Sequence, residues 1–408
     1  MNAMPRVLLV GPRPEPPFYG GVEKGVDLLL RTDLARRTGM RLFNTCRRRD
    51  PSRPLRERLR YQLGMIRALR RDLAGHPVDL VHVKTSTGIN FHQNAIYALV
   101  ARRAGLPVVL QIHDGKMAAF YEESTRWMRA WIRHVFLRAT RILVLSSRWA
   151  DWIASVTPKA RVSIVPNGLG REELLCLNRD WAEARRTQAV FIGTGQDELD
   201  QEKGLEDLLA VLPEVSRHHP AAGWVLAGLG APEIVQGRLA AANVTRGNPA
   251  GNVRCLGLID PEQRVKLLQE SSILLMPSYY ENMPNLLLEA MAGGLGIIAT
   301  SVGAIPEMLG QGEGGFLLEP GDRQALQAAL SEALASPEKV ERQGLRNRDA
   351  TAREYTMDVV EERLEEIYLQ AAGRRPSPAG ADRSAPSAAG RDSMARVGFS
   401  QAQGRVKP

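Results

Sequence analysis

Short runs of consecutive apolar residues alternate with helix-length stretches from one end of this chain to the other. This alternation limits the fold more than any other feature. The runs "RVLLVGP" (6–12), "DLVHVKT" (79–85), "PVVLQIH" (107–113), "RILVLSS" (141–147) and "VSIVPNG" (162–168) read as strands, with helical periodicity over 21–38, 55–74 and 89–105. A strand that is apolar on both faces must be covered on both, which requires parallel pairing and crossover helices. A polar stretch rich in Arg and Glu (170–188) breaks the pattern, which then restarts. The second set is "AVFIGTG" (189–195), "WVLAGLG" (224–230), "VRCLG" (253–257), "SILLMPS" (272–278), "GIIATSV" (296–302) and "GFLLEP" (315–320).

The pattern predicts an α/β chain of two doubly wound units, residues 1–170 and 189–352, joined by a linker at 171–188. Ligands of such sheets bind beyond the carboxyl ends of the strands, so two facing units place a cleft between them. Residues 373–408 are rich in Ser, Ala, Gly, Pro and Arg. Such a segment buries too little apolar surface to offset its ordering entropy, and a disordered tail is expected.

Composition narrows the function classes. Cys46, Cys176 and Cys255 are far apart, which excludes a zinc-ligand spacing and a disulfide framework. No run of about 18 apolar residues predicts a membrane span. The opening "MNAMPRVLLVGP" reads as a first strand rather than a signal core, so a cytoplasmic protein is expected. A formal net charge of +9 favours anionic partners. Arginines concentrate between Arg41 and Arg71. Within 55–74, Leu55, Leu59, Leu63, Ile66, Leu69 and Leu73 follow helical spacing, and Arg56, Arg60, Arg67 and Arg71 gather on a neighbouring face. Such a helix suits either solvent or an anionic membrane surface. Aromatic residues make up only 5% and do not interleave with the basic ones, so no nucleic-acid partner is expected.

The segment "YYENMPNLLLEAMAGG" (279–294) carries the chemistry. Pro284 is a natural first helical residue, which makes Met283 an N-cap that cannot cap. The amides of Asn285, Leu286 and Leu287 are then left for an anion at the positive end of the helix. Glu281 lies in the loop before that end. Glu289 lies inside the helix, among apolar residues. A buried carboxylate needs donors, and a pair of sugar hydroxyls or an arginine would serve equally.

The run "PSYYENMPNLLLEAMAGGLGIIATSVGAIPEML" followed by "GGFLLEPGD" resembles the retaining glycosyltransferases of family 4, with their E-x(7)-E pattern. The resemblance covers most of residues 5–372, with "YGGVE" (19–23), "VVLQIHD" and "SIVPNG" in the family's order. It implies the GT-B fold, two Rossmann-like domains facing across a cleft, an acceptor domain first and a donor domain second. A helix over 353–372 would return toward the first domain. The implied roles are Glu281 on the donor sugar, Glu289 on the ribose hydroxyls, His113 near the sugar and Lys203 on the diphosphate. Gly20 and Gly21 would admit close approach of ligand, and the backbone around Asn282, Met283, Pro284 and Asn285 would line the donor. Thr194 stands where the family usually has an arginine beside the diphosphate. No metal and no cofactor are implied. The implied substrates are a UDP- or GDP-sugar and a glycan or polyprenyl or other lipid-linked acceptor, in bacterial surface polysaccharide or glycolipid synthesis.

Three other classes fit less of the sequence. A dinucleotide-dependent oxidoreductase lacks its glycine pattern, since "GTGQDE" and "GLGAPE" miss the third glycine. A nucleotide-sugar epimerase of the same fold does not account for the paired glutamates. A non-catalytic sugar-nucleotide binder is favoured by Thr194 and the basic charge.

Overall fold

The computed structural model describes residues 4–14, 21–46, 54–177, 188–195, 201–241 and 253–374. The first unit builds one parallel sheet from β1 (Val7–Gly11), β2 (Arg41–Asn44), β3 (Leu80–Thr85), β4 (Val108–Ile112), β5 (Arg141–Val144) and β6 (Val162–Ile164). Its strand order is β2-β1-β3-β4-β5-β6. Its helices are α1 (Gly21–Leu30), α2 (Asp33–Arg37), α3 (Leu55–Gly75), α4 (Gly88–Arg103), α5 (Met117–Glu123), α6 (Arg126–Arg138) and α7 (Ser147–Val156). The stretch expected to be a linker begins with a helix, α8 (Arg171–Leu177).

The second sheet runs β12-β11-β10-β7-β8-β9, again parallel. Its strands are β7 (Gln188–Ile192), β8 (Gly223–Ala227), β9 (Val253–Cys255), β10 (Ile273–Met276), β11 (Gly296–Thr300) and β12 (Gly315–Leu318). Around it lie α9 (Leu205–His218), α10 (Pro232–Ala241), α11 (Pro261–Glu270), α12 (Asn285–Ala292), α13 (Ile305–Met308), α14 (Arg323–Ala335) and α15 (Pro337–Glu354). A last helix, α16 (Met357–Ala371), packs Val360, Leu364, Ile367 and Tyr368 against Val7, Leu9 and Val109 of the first sheet.

The inner strands are buried along their whole length, as parallel strands covered on both faces must be. β2 has no counterpart among the strands read from the sequence. It is a half-exposed edge strand, "RLFN", at the start of the arginine-rich run, where no apolar run marks it. The strand order reverses between β1 and β3 in one sheet and between β7 and β10 in the other. Crevices open at such points, beyond the carboxyl ends.

The chain passes between the two sheets twice, and the passages run side by side. Leu169 and Thr356 form an isolated parallel bridge, with Leu169 N donating to Tyr355 O at 2.9 Å and Met357 N to Leu169 O at 2.9 Å.

A polar seam runs through the apolar layer between the first sheet and α16. The Tyr368 hydroxyl meets His82 Nδ1 at 2.6 Å, and His82 Nε2 meets Gln111 Oε1 at 3.1 Å. Two residues further along the same face of β3, Lys84 Nζ donates to Gly25 O at 3.2 Å. Burial pushes Lys84 down to about 7 from an ordinary 10.5. Burial first, then the charge of Lys84, lowers His82 to about 3 from 6.5.

Both shifts mean that the unfolded chain binds more protons than the folded one, between pH 3 and 6.5 through His82 and between pH 7 and 10.5 through Lys84. In each window stability rises with pH. Urea titrations of the parent protein and of Lys84→Met between pH 7 and 9 should show a parent slope steeper by up to about 1.4 kcal/mol per pH unit. Equal slopes would remove Lys84 from the proton balance.

Candidate active site

The cleft between the two sheets has a volume of about 1270 Å³. Its walls come from α1 and the loop after β4 on one side, and from the loops after β7 and β10, α11 and α12 on the other.

Pro284 precedes α12 and does not begin it. Its backbone is extended (φ −72°, ψ 125°), and its carbonyl accepts from Leu287 N at 3.1 Å and Leu288 N at 3.3 Å. The N-cap is therefore Pro284, one residue later than the sequence suggests, and the helix spans Asn285–Ala292. The Leu287 amide, expected to be free, is used. Among the described residues the amides of Asn285 and Leu286 meet no acceptor. No side chain caps the helix, and its first turn opens into the cleft.

The loop before α12 is held by close packing. A methyl group at Gly303 (φ +57°) would lie 2.3 Å from Glu281 O, and one at Gly115, from the other domain, 2.5 Å from the same atom. The Glu281–Asn282 peptide is thus clamped between two glycines, one from each domain. Asn282 O also accepts from Ala304 N at 2.7 Å. Met283 is buried, and its carbonyl accepts from Asn167 Nδ2 at 2.9 Å.

Glu281 and Lys203 meet. Lys203 Nζ donates to Glu281 Oε1 at 2.5 Å, with Glu281 almost wholly buried. The segment before α9 is held beside this loop because Tyr279 N donates to Glu202 O at 2.8 Å.

Glu289 is met by two cations, a lysine that donates a hydrogen bond and an arginine that makes an ion pair. It is 4% exposed. Its Oε1 accepts from Lys24 Nζ of α1 at 2.8 Å, and Lys24 also reaches Glu173 Oε1 at 2.5 Å. Burial opposes the Lys24 charge, but the carboxylates of Glu289 and Glu173 outweigh it and raise its pKa. Glu289 Oε2 lies 2.8 Å from Arg264 Nε. The N–H is not aimed at the oxygen, so both atoms lack a hydrogen bond despite the short distance, and the contact is an ion pair. Arg264 stands one turn into α11, whose start is fixed by Asp260 as N-cap, Pro261 at the first position and Gln263 closing a capping box.

His113 follows β4 at the cleft floor. Its amide donates to Thr85 O at 2.9 Å, and its buried Nε2 has no partner. Burial, then the charges of Lys84 and His82, keeps it neutral well below its ordinary range. Ser278 Oγ and Asn282 Oδ1, both lining the same cleft, are likewise buried without a partner. With Glu289 Oε2 and Arg264 Nε, five buried polar atoms on residues lining this cleft have no hydrogen-bond partner and could meet a polar ligand. Gly21 borders the start of α12, its added methyl 3.4 Å from Asn285 Nδ2. Thr194 is exposed at the cleft mouth after β7. Gly20 lies outside the described residues.

The structure thus brings Gly21, His113, Thr194, Lys203, Glu281, Glu289 and 282–285 to one cleft. Lys24, Arg264 and Lys116 were not singled out from the sequence. Lys116 Nζ binds Glu202 across the cleft at 2.8 and 2.9 Å. Only Lys24 carried a signal, four residues after Gly20 in "YGGVEKG". Among the described residues no cluster of His, Cys, Asp and Glu could hold a metal ion.

Comparison with known proteins identifies the family and the fold. The model of glycosyltransferase family 4 matches residues 9–173, and that of glycosyl transferases group 1 matches 186–336. A 2-deoxystreptamine N-acetyl-D-glucosaminyltransferase of Streptomyces fradiae is 28% identical over 317 residues, 72% of each chain. A glycogen synthase of Mycobacterium tuberculosis is 26% identical over 230 residues, 54% of this chain and about half (51%) of its own length. Among solved structures, a sucrose-phosphate synthase from Thermosynechococcus elongatus superimposes with a TM-score of 0.67 at 17% identity, covering 90% of this chain and 98% of that one. Anabaena HepE, solved in complex with UDP, gives 0.65 at 13%, over 90% and 100%. At these identities the two structures establish the fold, which is GT-B.

Because Gly115 abuts Glu281 from the opposite domain, Gly115→Ala can relieve its clash by opening the cleft. Small-angle scattering should show a more extended particle while the melting temperature stays within about 2 °C of the parent. An unchanged particle with a large loss of melting temperature would place that contact inside the folded core instead.

Proposed function

The chain belongs to the family 4, group 1 glycosyltransferases of GT-B architecture, and from that premise we propose that it transfers a sugar with retention of anomeric configuration. The donor is a nucleoside diphosphate sugar of the UDP or GDP type, and the acceptor is a hydroxyl of a glycan or lipid-linked glycan. The observation that carries this reading is the uncapped first turn of α12, opening between Lys203 and Gly21.

Breaking the bond from the anomeric carbon to the diphosphate leaves negative charge on phosphate and positive charge on the sugar. The free amides of Asn285 and Leu286 and the Lys203 ammonium meet the first. We assign this neutralisation to them rather than to a metal ion. Lys203 must then exchange its contact with Glu281, whose carboxylate turns to hydroxyls of the donor sugar. Neutral His113 offers its unpartnered Nε2 to the same sugar. Glu289 accepts from the ribose. The acceptor oxygen bonds to the anomeric carbon on the face the diphosphate leaves, and the acceptor proton passes to the departing phosphate oxygen. The UDP in the HepE complex supports a uridine donor as the first to test.

The acceptor side of the proposal rests on α3. Leu59 is 56% and Leu63 51% exposed, beside the exposed Arg56, Arg60 and Arg67, while Leu69 further along is fully buried. Among the described residues no helix is long and apolar enough to cross a membrane. We assign this face to an anionic membrane surface carrying a lipid-linked acceptor, on the cytoplasmic side, in surface polysaccharide or glycolipid synthesis. A binder without turnover is the rival reading, and Thr194 in place of a cation favours it.

Calorimetric titration with UDP, GDP and ADP should show one nucleotide binding, weakened at least tenfold in Glu289→Ala. A folded protein that binds none of them has no donor site of this kind. At low salt the protein should sediment with vesicles of anionic lipid and not with neutral ones, and Leu59→Ser with Leu63→Ser should abolish the difference. Equal partition to both vesicle types would remove the membrane assignment.

A further inference from the structure

The large apolar side chains left exposed in the first domain share one edge of it. Helices α3, α4 and α6 form one layer, with Leu69, Phe91, Ala95, Ile132 and Phe136 packed in a common core against the first sheet. α4 lies between the other two and touches both. Their outward faces therefore make one surface. On it Leu59 and Leu63 of α3, Ile89 and Ile96 of α4 and Trp127 of α6 are exposed. Trp127, at 80%, is more exposed than any other large apolar side chain among the described residues.

Ile89 and Trp127 are each the second residue of their helix. In a parallel sheet the crossover helices run back antiparallel to the strands, so their starts lie at the carboxyl ends. The start of α3 reaches the same edge. Its 21 residues span about 30 Å, against about 20 Å for the six of β3, into which it leads. This is also the edge from which the cleft opens. Ser86, two residues before α4, and Lys116, one residue before α5, both line the cleft.

The charge of this layer says what can cover it. From α3 to α6 the helices carry twelve arginines against four acids, Glu57, Asp72, Glu122 and Glu123, and Asp72 is held by Arg41. Such an excess repels a second copy of this chain and attracts an anionic lipid surface. An exposed tryptophan among arginines fits the headgroup layer, its ring toward the acyl chains and its N–H toward water.

We propose that α4 and α6 join α3 at an anionic membrane, with Ile89 and Trp127 inserted at the headgroup boundary. The rim of the first domain then rests on the lipid, and the cleft opens onto it beside Ser86. This inference rests on the reading of α3 as membrane-facing. One helix alone would leave the domain free to roll about its axis. Three neighbouring helix starts, spread over about 20 Å, fix its orientation. A lipid-linked acceptor then reaches the cleft across the start of α4.

The test uses the full chain at low salt with phosphatidylglycerol vesicles, phosphatidylcholine vesicles as the neutral control, and phosphatidylglycerol vesicles with brominated acyl chains. Binding is read by sedimentation and insertion by quenching of tryptophan emission. The brominated vesicles should quench the parent, and Trp127→Phe should lose most of that quenching. Ile89→Ser with Trp127→Ser should bind anionic vesicles at least about tenfold more weakly. Both positions face solvent, so the variants should melt within about 2 °C of the parent. If parent and variants bind alike and Trp127→Phe is quenched as strongly as the parent, the contact is confined to α3. This inference then fails while the membrane reading of α3 stands. Weaker binding by the double variant without quenching that depends on Trp127 also overturns it, since insertion is what it asserts. A parent that binds anionic vesicles no better than neutral ones overturns both readings together.

Discussion

Glu289 is a carboxylate withdrawn from water on a helix whose neighbours in sequence are apolar, and much of the cleft is arranged around that fact. A buried charge left without a partner destabilises a fold by about 3–5 kcal/mol. Here the partners come from two directions, Arg264 from the same domain and Lys24 from the other. The first contact fixes α11 against α12. The second draws α1, and with it Gly21, onto the start of α12. The same electrostatic need that shapes one side chain's surroundings thus also ties the two domains together across the cleft.

The other contacts across the cleft are of a weaker kind. Lys116 and Glu202 are both more than a third exposed, and exposed ion pairs are worth about 0–1 kcal/mol. Ser147 donates its amide and hydroxyl to Glu307, again at an exposed position. Against these stand the buried anchorage of α16 on the first sheet and the paired passages at Leu169 and Thr356. The domains are therefore joined firmly along one side and lightly across the mouth.

The fold was legible because its strands are buried on both faces, so that each is written as a continuous apolar run. β2 escaped for the converse reason: an edge strand half in solvent needs no such run, and its "RLFN" sits in a basic stretch. At the site, Glu281 and Glu289 were legible because one lies in a loop before a proline and the other breaks an apolar helix. The alternative of sugar hydroxyls or an arginine for Glu289 could not be decided from the sequence. Arg264 precedes Glu289 by 25 positions, and nothing in "DPEQRVKLLQE" distinguishes it from a solvated arginine. Lys24 lies 265 residues away from Glu289, a separation that no local periodicity spans. Side chains that act through tertiary contacts leave their trace in the fold, not in the spacing.

Thr194 sharpens what the remaining cations must do. With no arginine at that place, the positive charge near the start of α12 comes from Lys203, Lys24, Arg264 and Lys116, and in this structure each is matched by a carboxylate. Such pairing lowers the cost of holding four cations around one cleft while it holds no anion. It also means that a diphosphate gains less from them than from bare charges, since it must displace carboxylates that already occupy their donors. The two unpartnered amides of α12 carry no such competitor. A helix start needs no counterion to stay folded, so its full attraction is available to the ligand. On the proposed function, the helix terminus is accordingly the fixed part of the diphosphate site, and the lysines are the exchangeable part.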